Sequence, residues 1–223
     1  MSRIRGYVAA THFPQALAMV VLMTGATWIF GGSPAAVIAV LCASAAGQAT
    51  VGWTNDRHDA GVDAQASRTH KPTVRGDIRP SDLRIPIIVS GSLTIPLSFL
   101  AAGWVGGAAH ITAAASALMY NFFLARTVWS WLPYAVSFGL IPVFVAQAVS
   151  TSLWPTVPVI ALSILVGVTA HLLNAIPDID VDRASGWGGL AVSLGKRWSV
   201  VVAVILAGAV VLVVAFALVG WRP

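Results

Sequence analysis

The chain has 223 residues, of which 57% are hydrophobic and 9% are charged, and its mean hydropathy is +0.83. Soluble domains carry roughly 25% charged residues, so this composition excludes an ordinary soluble protein and predicts an integral membrane protein. The net charge of +5 does not indicate nucleic-acid binding, because hydrophobic proteins usually carry Lys and Arg as topology signals. We therefore expect no nucleic-acid partner, and a multi-pass protein in contact with membrane lipid.

Apolar runs of about 20 residues, long enough to cross ~30 Å of hydrocarbon, recur along the chain. Pro14 stands at the start of the first run, where its missing N–H is harmless, and the Gly-Gly-Ser-Pro at 31–34 separates the first run from the second. Cys42 falls inside the second run and is expected to be a buried, inert thiol. The chain is predicted to be a single all-α membrane domain, residues 1–223, built as a bundle of about seven transmembrane helices at approximately 13–30, 34–53, 85–104, 108–124, 132–149, 157–176 and 198–221.

All eight acidic residues lie in two polar segments between these runs. The first segment, 53–84, holds five of them, and the second holds Asp178, Asp180 and Asp182. Both segments contain the pattern Asn-x3-Asp-x3-Asp, a short repeat that fits either two related halves or a coincidence. The residues that form this repeated pattern are Asn55, Asp59 and Asp63 in the first segment and Asn174, Asp178 and Asp182 in the second.

The basic residues predict which side of the membrane these segments face. With seven helices, twelve of the thirteen Lys and Arg residues lie on one side, and only Arg222 lies on the other. The tryptophans group near the helix ends, with Trp221 at the outer end of the last helix, as expected of aromatic belts. By the positive-inside rule, we expect both acidic segments to face the cytoplasm, in the cell membrane of a bacterium.

The spacing of the acids suggests a chemistry. If the second helix continues past Trp53, Asp56, Asp59 and Asp63 share one of its faces, where like charges repel each other. A hard cation relieves that repulsion, and Mg²⁺ commonly joins one or two carboxylates to a phosphate group. Basic residues in the same segments suit phosphate oxygens. Ordinary solvated loops are the alternative interpretation, but two copies of the pattern on one side favour a shared metal–diphosphate site.

Specific motifs then carry a resemblance. NDRHDAGVD, followed by RTHKP and RGDI, and later NAIPDIDVD, followed by GGLAVSLGK, resemble the two signature regions of the UbiA superfamily of intramembrane prenyltransferases. The segment 120–139 is similar to the Tyr-containing segment of that family, so the resemblance covers most of the chain. It implies a helical bundle that binds a Mg²⁺–polyprenyl diphosphate between the two motifs at its cytoplasmic end. It also implies transfer of the prenyl group to a small-molecule acceptor, aromatic in many members, in lipid or quinone biosynthesis.

The resemblance further implies roles for individual residues. Mg²⁺ is the implied cofactor, and its ligands would be Asn55, Asp56, Asp59, Asp63, Asn174, Asp178 and Asp182. The catalytic residues would be Asp59, Asp63, Asp178 and Asp182. The substrate-binding residues would be Asn55, Arg68, Lys71, Tyr120, Arg126, Asn174 and Lys196.

Departures from the family pattern keep other interpretations open. Members typically have nine membrane helices, so a seven-helix chain is expected to leave one wall of the cavity open, which a homo-oligomer could close. Lys71-Pro72 stands where many members have Arg-Pro, and Ala125-Arg126 where a Lys-Arg pair is common. A membrane transporter, a lipid-binding protein, or an inactive truncated homologue that needs a partner are the alternatives. His171 is read equally well as an acceptor ligand and as a packing residue.

Overall fold

The computed structural model describes residues 3–220, and the side chains of residues 3–215. Within that range the chain is helical and contains no strand, so the prediction of an all-α protein is confirmed. Trp221 and Arg222, which the topology prediction used, lie outside the described residues. The helices are α1 (Arg3–Ala9), α2 (Phe13–Ile29), α3 (Pro34–Gln65), α4 (Pro72–Arg75), α5 (Arg84–Met119), α6 (Leu132–Val149), α7 (Val157–Ala175), α8 (Ile179–Ala184) and α9 (Leu190–Gly220).

Several of these helices are long and apolar enough to cross a membrane. By length and composition, the described residues provide five such helical stretches, or six if α1 and α2, bent by 62° at their junction, count as one span. Large apolar side chains cover the outside of the bundle, including Trp104, which is 83% exposed. Exposed apolar surface on this scale fits contact with lipid rather than water. The exact number of spans, predicted as seven, stays a prediction.

Helix α5 is two antiparallel arms rather than one rod. Ala102 and Gly103 have non-helical backbone angles, and Gly103 has a φ of 62°, which glycine adopts without strain. In a straight helix, residues 98 and 110 would lie about 18 Å apart. Here Ser98 Oγ lies 2.7 Å from His110 Nδ1, so the chain reverses at Gly103. The predicted boundary between the third and fourth runs lies close to this turn.

Helix α3 continues twelve residues beyond Trp53, where the second predicted run ended. Ser33 caps its start by accepting a hydrogen bond from the Ala36 N–H, and Pro34 occupies its first turn. A helix of 32 residues is about 48 Å long, which exceeds the hydrocarbon thickness of a bilayer. The end of α3 therefore extends beyond the apolar layer and carries the first acidic motif with it.

The packing follows the chain order. Helix α3 packs on α2 and α5, α6 on α5, α7 on α6, and α9 on α7. One core cluster, which includes Met23, Val40 and Phe144, joins α2, α3, α5 and α6, and a second one, which includes Leu172 and Ala203, joins α7 to α9. Cys42 is exposed on α3, so the expectation of a buried thiol is wrong. An apolar run in a membrane protein has a lipid-facing side as well as a buried one.

Candidate active site

The first motif stands on the last three turns of α3. Because residues four apart lie on one face of a helix, Asn55, Asp59 and Asp63 point the same way. Asn55 Nδ2 donates to Asp59 Oδ2 at 3.0 Å and approaches Asn121 Oδ1 at 3.3 Å. Asn121 is buried on a π-helical turn, Tyr120–Leu124, and donates to the carbonyl of Val51. Sequence analysis missed Asn121, although a lone amide inside an apolar stretch was a usable signal.

The second motif has a different backbone. Asn174 lies on the last turn of α7, Asp178 in the 3₁₀ turn Ile176–Asp178, and Asp182 on α8. Pro177 lies inside that turn, where its ring and missing N–H interrupt a regular helix. The spacing of four residues is therefore distributed over a helix end, a turn and a short helix.

Arg68 joins the two motifs. Its guanidinium donates to Asp63 Oδ1 at 3.1 Å and to Asp182 Oδ1 at 2.7 Å, across 114 residues of sequence. Burial works to lower the pKa of Arg68, but the carboxylates of Asp178, Asp182 and Asp63 outweigh it and raise that pKa. Arg68 is therefore charged at every working pH. The structure brings both motifs to the same end of the bundle.

Arg126 forms a second cationic position beside the first motif. Its guanidinium lies 3.6 Å from Asp59 Oδ1 and 4.0 Å from the ring centroid of Trp187, a cation–π distance. Arg68 also faces this ring, at 5.7 Å. The turn that carries Trp187 is held in place because the N–H of Gly188 donates to the carbonyl of Arg126. Sequence analysis assigned Trp187 no role in the site, because its contacts come from distant parts of the chain.

Lys71 is 9% exposed and lies among the acids of α3. Its Nζ is 2.6 Å from Asp56 Oδ1, 3.3 Å from Asn55 Oδ1 and 3.9 Å from Asp63 Oδ2. His12, from the junction of α1 and α2, lies against the same carboxylate. The side chain of Asp56 is 1% exposed, so its ion pair with Lys71 is largely shielded from water.

Aromatic side chains lie on the bundle side of the acids. The ring of Tyr120 lies 5.4 Å from the ring of Tyr134 and 6.0 Å from that of His171. His171 is buried, and its Nε2 lies 3.0 Å from Ser130 Oγ. Lys196, by contrast, is exposed next to the break at Gly195 and forms no ion pair or side-chain hydrogen bond with any described residue.

The oxygen-rich donor set suits a hard cation. Within residues 3–220, no three His, Cys, Asp or Glu side chains are grouped closely enough to hold a metal by themselves. Mg²⁺ commonly takes one or two carboxylates and completes its shell with phosphate oxygens and water, so such a group is not required. Asp63 Oδ2 is a suitable ligand atom, because it is buried and accepts no hydrogen bond from the described residues, and Asp56 Oδ2 is in the same state. The residues present therefore fit Mg²⁺ bound together with a diphosphate.

The fold and the site define a class: an α-helical membrane protein with two aspartate motifs and clustered cations at one end of its bundle. The chain belongs to the UbiA prenyltransferase family, whose model matches residues 7–223. By family it is a prenyltransferase, so the resemblance noted in the sequence is confirmed. No curated protein matches the sequence.

Solved structures share the fold. A UbiA homologue from Archaeoglobus fulgidus bound to DMAPP and Mg²⁺ has a TM-score of 0.79 and 16% identity, and the match covers 97% of this chain and 79% of that one. The same homologue bound to GPP and Mg²⁺ has a TM-score of 0.79 and 17% identity over 98% and 79% of the two chains. An apo UbiA homologue from Aeropyrum pernix K1 has a TM-score of 0.68 and 16% identity over 90% and 77%. At these identities the likeness shows the fold.

Proposed function

We propose that the protein transfers the prenyl group of an allylic polyprenyl diphosphate to a small, oxygen-bearing or aromatic acceptor in the membrane, with Mg²⁺ held between the two motifs. The observation that supports this most directly is Arg68, which contacts Asp63 and Asp182 at once. It brings cationic and carboxylate groups from both motifs within reach of one ligand. The Archaeoglobus fulgidus homologue, solved with DMAPP, GPP and Mg²⁺, supports the same substrate class.

The ligands of the diphosphate follow from the charges. We assign its oxygens to Arg68, Arg126, Lys71 and Lys196, and the metal to Asn55, Asp59, Asp63, Asn174, Asp178 and Asp182. Asp56, which the resemblance also implies as a ligand, is left out of this set because it pairs with Lys71. A divalent cation bound by these residues would supply positive charge that neutralises the diphosphate as its bond to the prenyl carbon breaks. Arg68 and Arg126 stabilise the same developing charge, because their guanidinium groups are already oriented by Asp63, Asp182 and Trp187.

The reaction needs two further contributions from the chain. Tyr120 and Tyr134 lie on the bundle side of the acids, where we place the prenyl tail and the acceptor. A carboxylate of the site takes the proton that the acceptor loses when its new bond to the prenyl carbon forms. The positively charged connections at this end of the bundle support a site that faces the cytoplasm.

The test measures prenyl transfer by purified protein in lipid nanodiscs, with Mg²⁺, labelled DMAPP or GPP and longer prenyl diphosphates, and a panel of phenolic and hydroxyl acceptors. We expect a labelled lipid product from the wild type, and a loss of at least about 100-fold in rate for Asp59→Ala and for Asp178→Ala. Asp180→Ala is the matched control, since Asp180 is an exposed acid in the second segment outside the four-residue pattern. It should retain wild-type activity. Absence of product with every substrate pair, or full activity of both motif variants, would contradict the proposal.

A further inference from the structure

A strained corner at the junction of α1 and α2 lies against the first motif. His12 has φ 55° and ψ 54°, a left-handed conformation that is uncommon for residues other than glycine. The corner is docked on α3 by the indole of Trp53, which donates to the carbonyl of Tyr7 at 2.9 Å. Gly52 permits the close approach, because a Cβ there would lie 2.5 Å from the carbonyl oxygen of Thr11. Strain that is held by such packing often serves a functional site.

The strained residue directs its imidazole at a buried ion pair. His12 Nε2 lies 3.0 Å from Asp56 Oδ1 and 3.1 Å from Lys71 Nζ, so it either donates to the carboxylate or accepts from the ammonium. Lys71 Nζ itself lies 2.6 Å from the same carboxylate oxygen. Oδ1 of Asp56 thus has two nitrogens, His12 Nε2 and Lys71 Nζ, within hydrogen-bonding distance. Its side chain is 1% exposed, compared with 16% for Asp59.

The three aspartates of α3 therefore have different surroundings. Asp59 is partly exposed and pairs loosely with Arg126. Asp56 and Asp63 each have one buried carboxylate oxygen, Oδ2, that accepts no hydrogen bond from the described residues. What distinguishes Asp56 is its Oδ1, which lies 2.6 Å from Lys71 Nζ and 3.0 Å from His12 Nε2. A buried ammonium is costly without a counter-ion, so Asp56 stabilises Lys71 in its position beside the first motif.

We propose that His12 is a positioning residue for the diphosphate: through Asp56 it fixes Lys71 at the site, and Asp56 serves as the counter-ion of Lys71 and not as a metal ligand. This inference rests on the proposed function, because it assumes that Lys71 meets a diphosphate. It assigns His12 a role although His12 lies 44 residues from Asp56 in the sequence.

Two substitutions at His12 distinguish the effect of its imidazole from the effect of its left-handed backbone conformation. His12→Gly accepts the positive φ and removes the imidazole, whereas His12→Asn also tolerates this conformation and keeps a polar group that can hydrogen-bond. We expect His12→Gly to weaken binding of the thiolo analogue of geranyl diphosphate, which is not turned over, by about tenfold, the effect of one charge-assisted hydrogen bond. His12→Asn should recover part of that loss. In a Lys71→Met background, His12→Gly should change this Kd less than about twofold, because the contribution through Lys71 is already gone.

A titration with Mn²⁺ and Mg²⁺ separates counter-ion from metal ligand. Asp56→Asn should raise the Kd of the analogue and leave the half-saturating Mg²⁺ concentration for turnover unchanged, whereas Asp59→Asn should raise that concentration. Bound Mn²⁺, counted by electron paramagnetic resonance, should match wild type in Asp56→Asn and fall in Asp59→Asn. Melting temperature and gel-filtration profile establish that each variant is folded.

The outcomes distinguish this inference from the proposed function. Wild-type protein that binds no analogue contradicts the proposed function itself. If the wild type binds the analogue and turns over geranyl diphosphate, an unchanged Kd of the analogue in His12→Gly overturns the role of His12. An Asp56→Asn variant whose Mg²⁺ dependence shifts as far as that of Asp59→Asn overturns the assignment of Asp56 as a counter-ion. If Asp56→Asn does not fold, the His12 variants and the Lys71→Met background still decide the role of His12.

Discussion

The two aspartate motifs share a sequence pattern but differ in structure. The first is carried by an unbroken helix, and its last aspartate, Asp63, is 0% exposed. The second crosses a proline-containing turn, and its Asp182 is 19% exposed. The cations differ as well. Arg68 and Lys71, which follow the first motif in the sequence, contact acids of α3. Arg183, which follows the second motif, donates to the carbonyl of Val192. An identical pattern thus supplies a buried, internally paired half and an open half.

The largest expected effect comes from removing either of the two carboxylates that Arg68 contacts, those of Asp63 and Asp182. Asp63→Ala and Asp182→Ala should each reduce kcat/KM by at least about 100-fold, because each removes a charge next to the proposed diphosphate site. Only Asp63→Ala should also destabilise the protein, by about 3 kcal/mol, since it removes a fully buried partner of Arg68 and Lys71. Activity assays with thermal unfolding in detergent check both effects. Equal losses of stability in the two variants would abolish the distinction between a buried and an open half.

A smaller effect is expected when the bridge between the halves is changed. Arg68→Lys keeps the charge but lacks the planar fork that reaches Asp63 and Asp182 together. We expect kcat/KM to fall by about 10-fold, mainly through a higher KM for the prenyl diphosphate. Arg79→Lys is the matched control, because Arg79 is exposed and pairs with Asp82 away from the motifs. Kinetics indistinguishable from wild type for Arg68→Lys would show that the two halves act without this bridge.

The smallest effect concerns Trp187, which comes from the open half and contacts Arg126 beside the buried half. Trp187→Leu removes a cation–π contact worth about 0.5–1 kcal/mol, so KM for the prenyl diphosphate should rise about two- to fivefold. Trp187→Phe keeps an aromatic face, so its KM for the prenyl diphosphate should lie between those of the wild type and Trp187→Leu. Steady-state kinetics at saturating acceptor would measure this, and an unchanged KM in Trp187→Leu would remove Trp187 from the site.

Much of the fold and part of the site were predictable because they depend on local pattern. Apolar length identified the helices, and the four-residue steps of Asp59 and Asp63 placed them on one face of α3. The spacing predicted the second motif less well, because Pro177 interrupts the regular helix on which a four-residue step places side chains on one face. Lys71 was selected for its charge and its position after the first motif, but nothing local indicated that it is buried against Asp56.

The sequence by itself determined the membrane class, the all-α fold, the family and the two polar segments that hold every acidic residue. Hydropathy, spacing and motif are properties of neighbouring residues. Tertiary structure alone decided which groups meet. The reversal at Gly103 brings Ser98 to His110, the corner brings His12 to Asp56 across 44 residues, and Arg68 reaches Asp182 across 114. Such contacts arise when helices pack, and helix packing depends on the shapes of distant surfaces that no local pattern records.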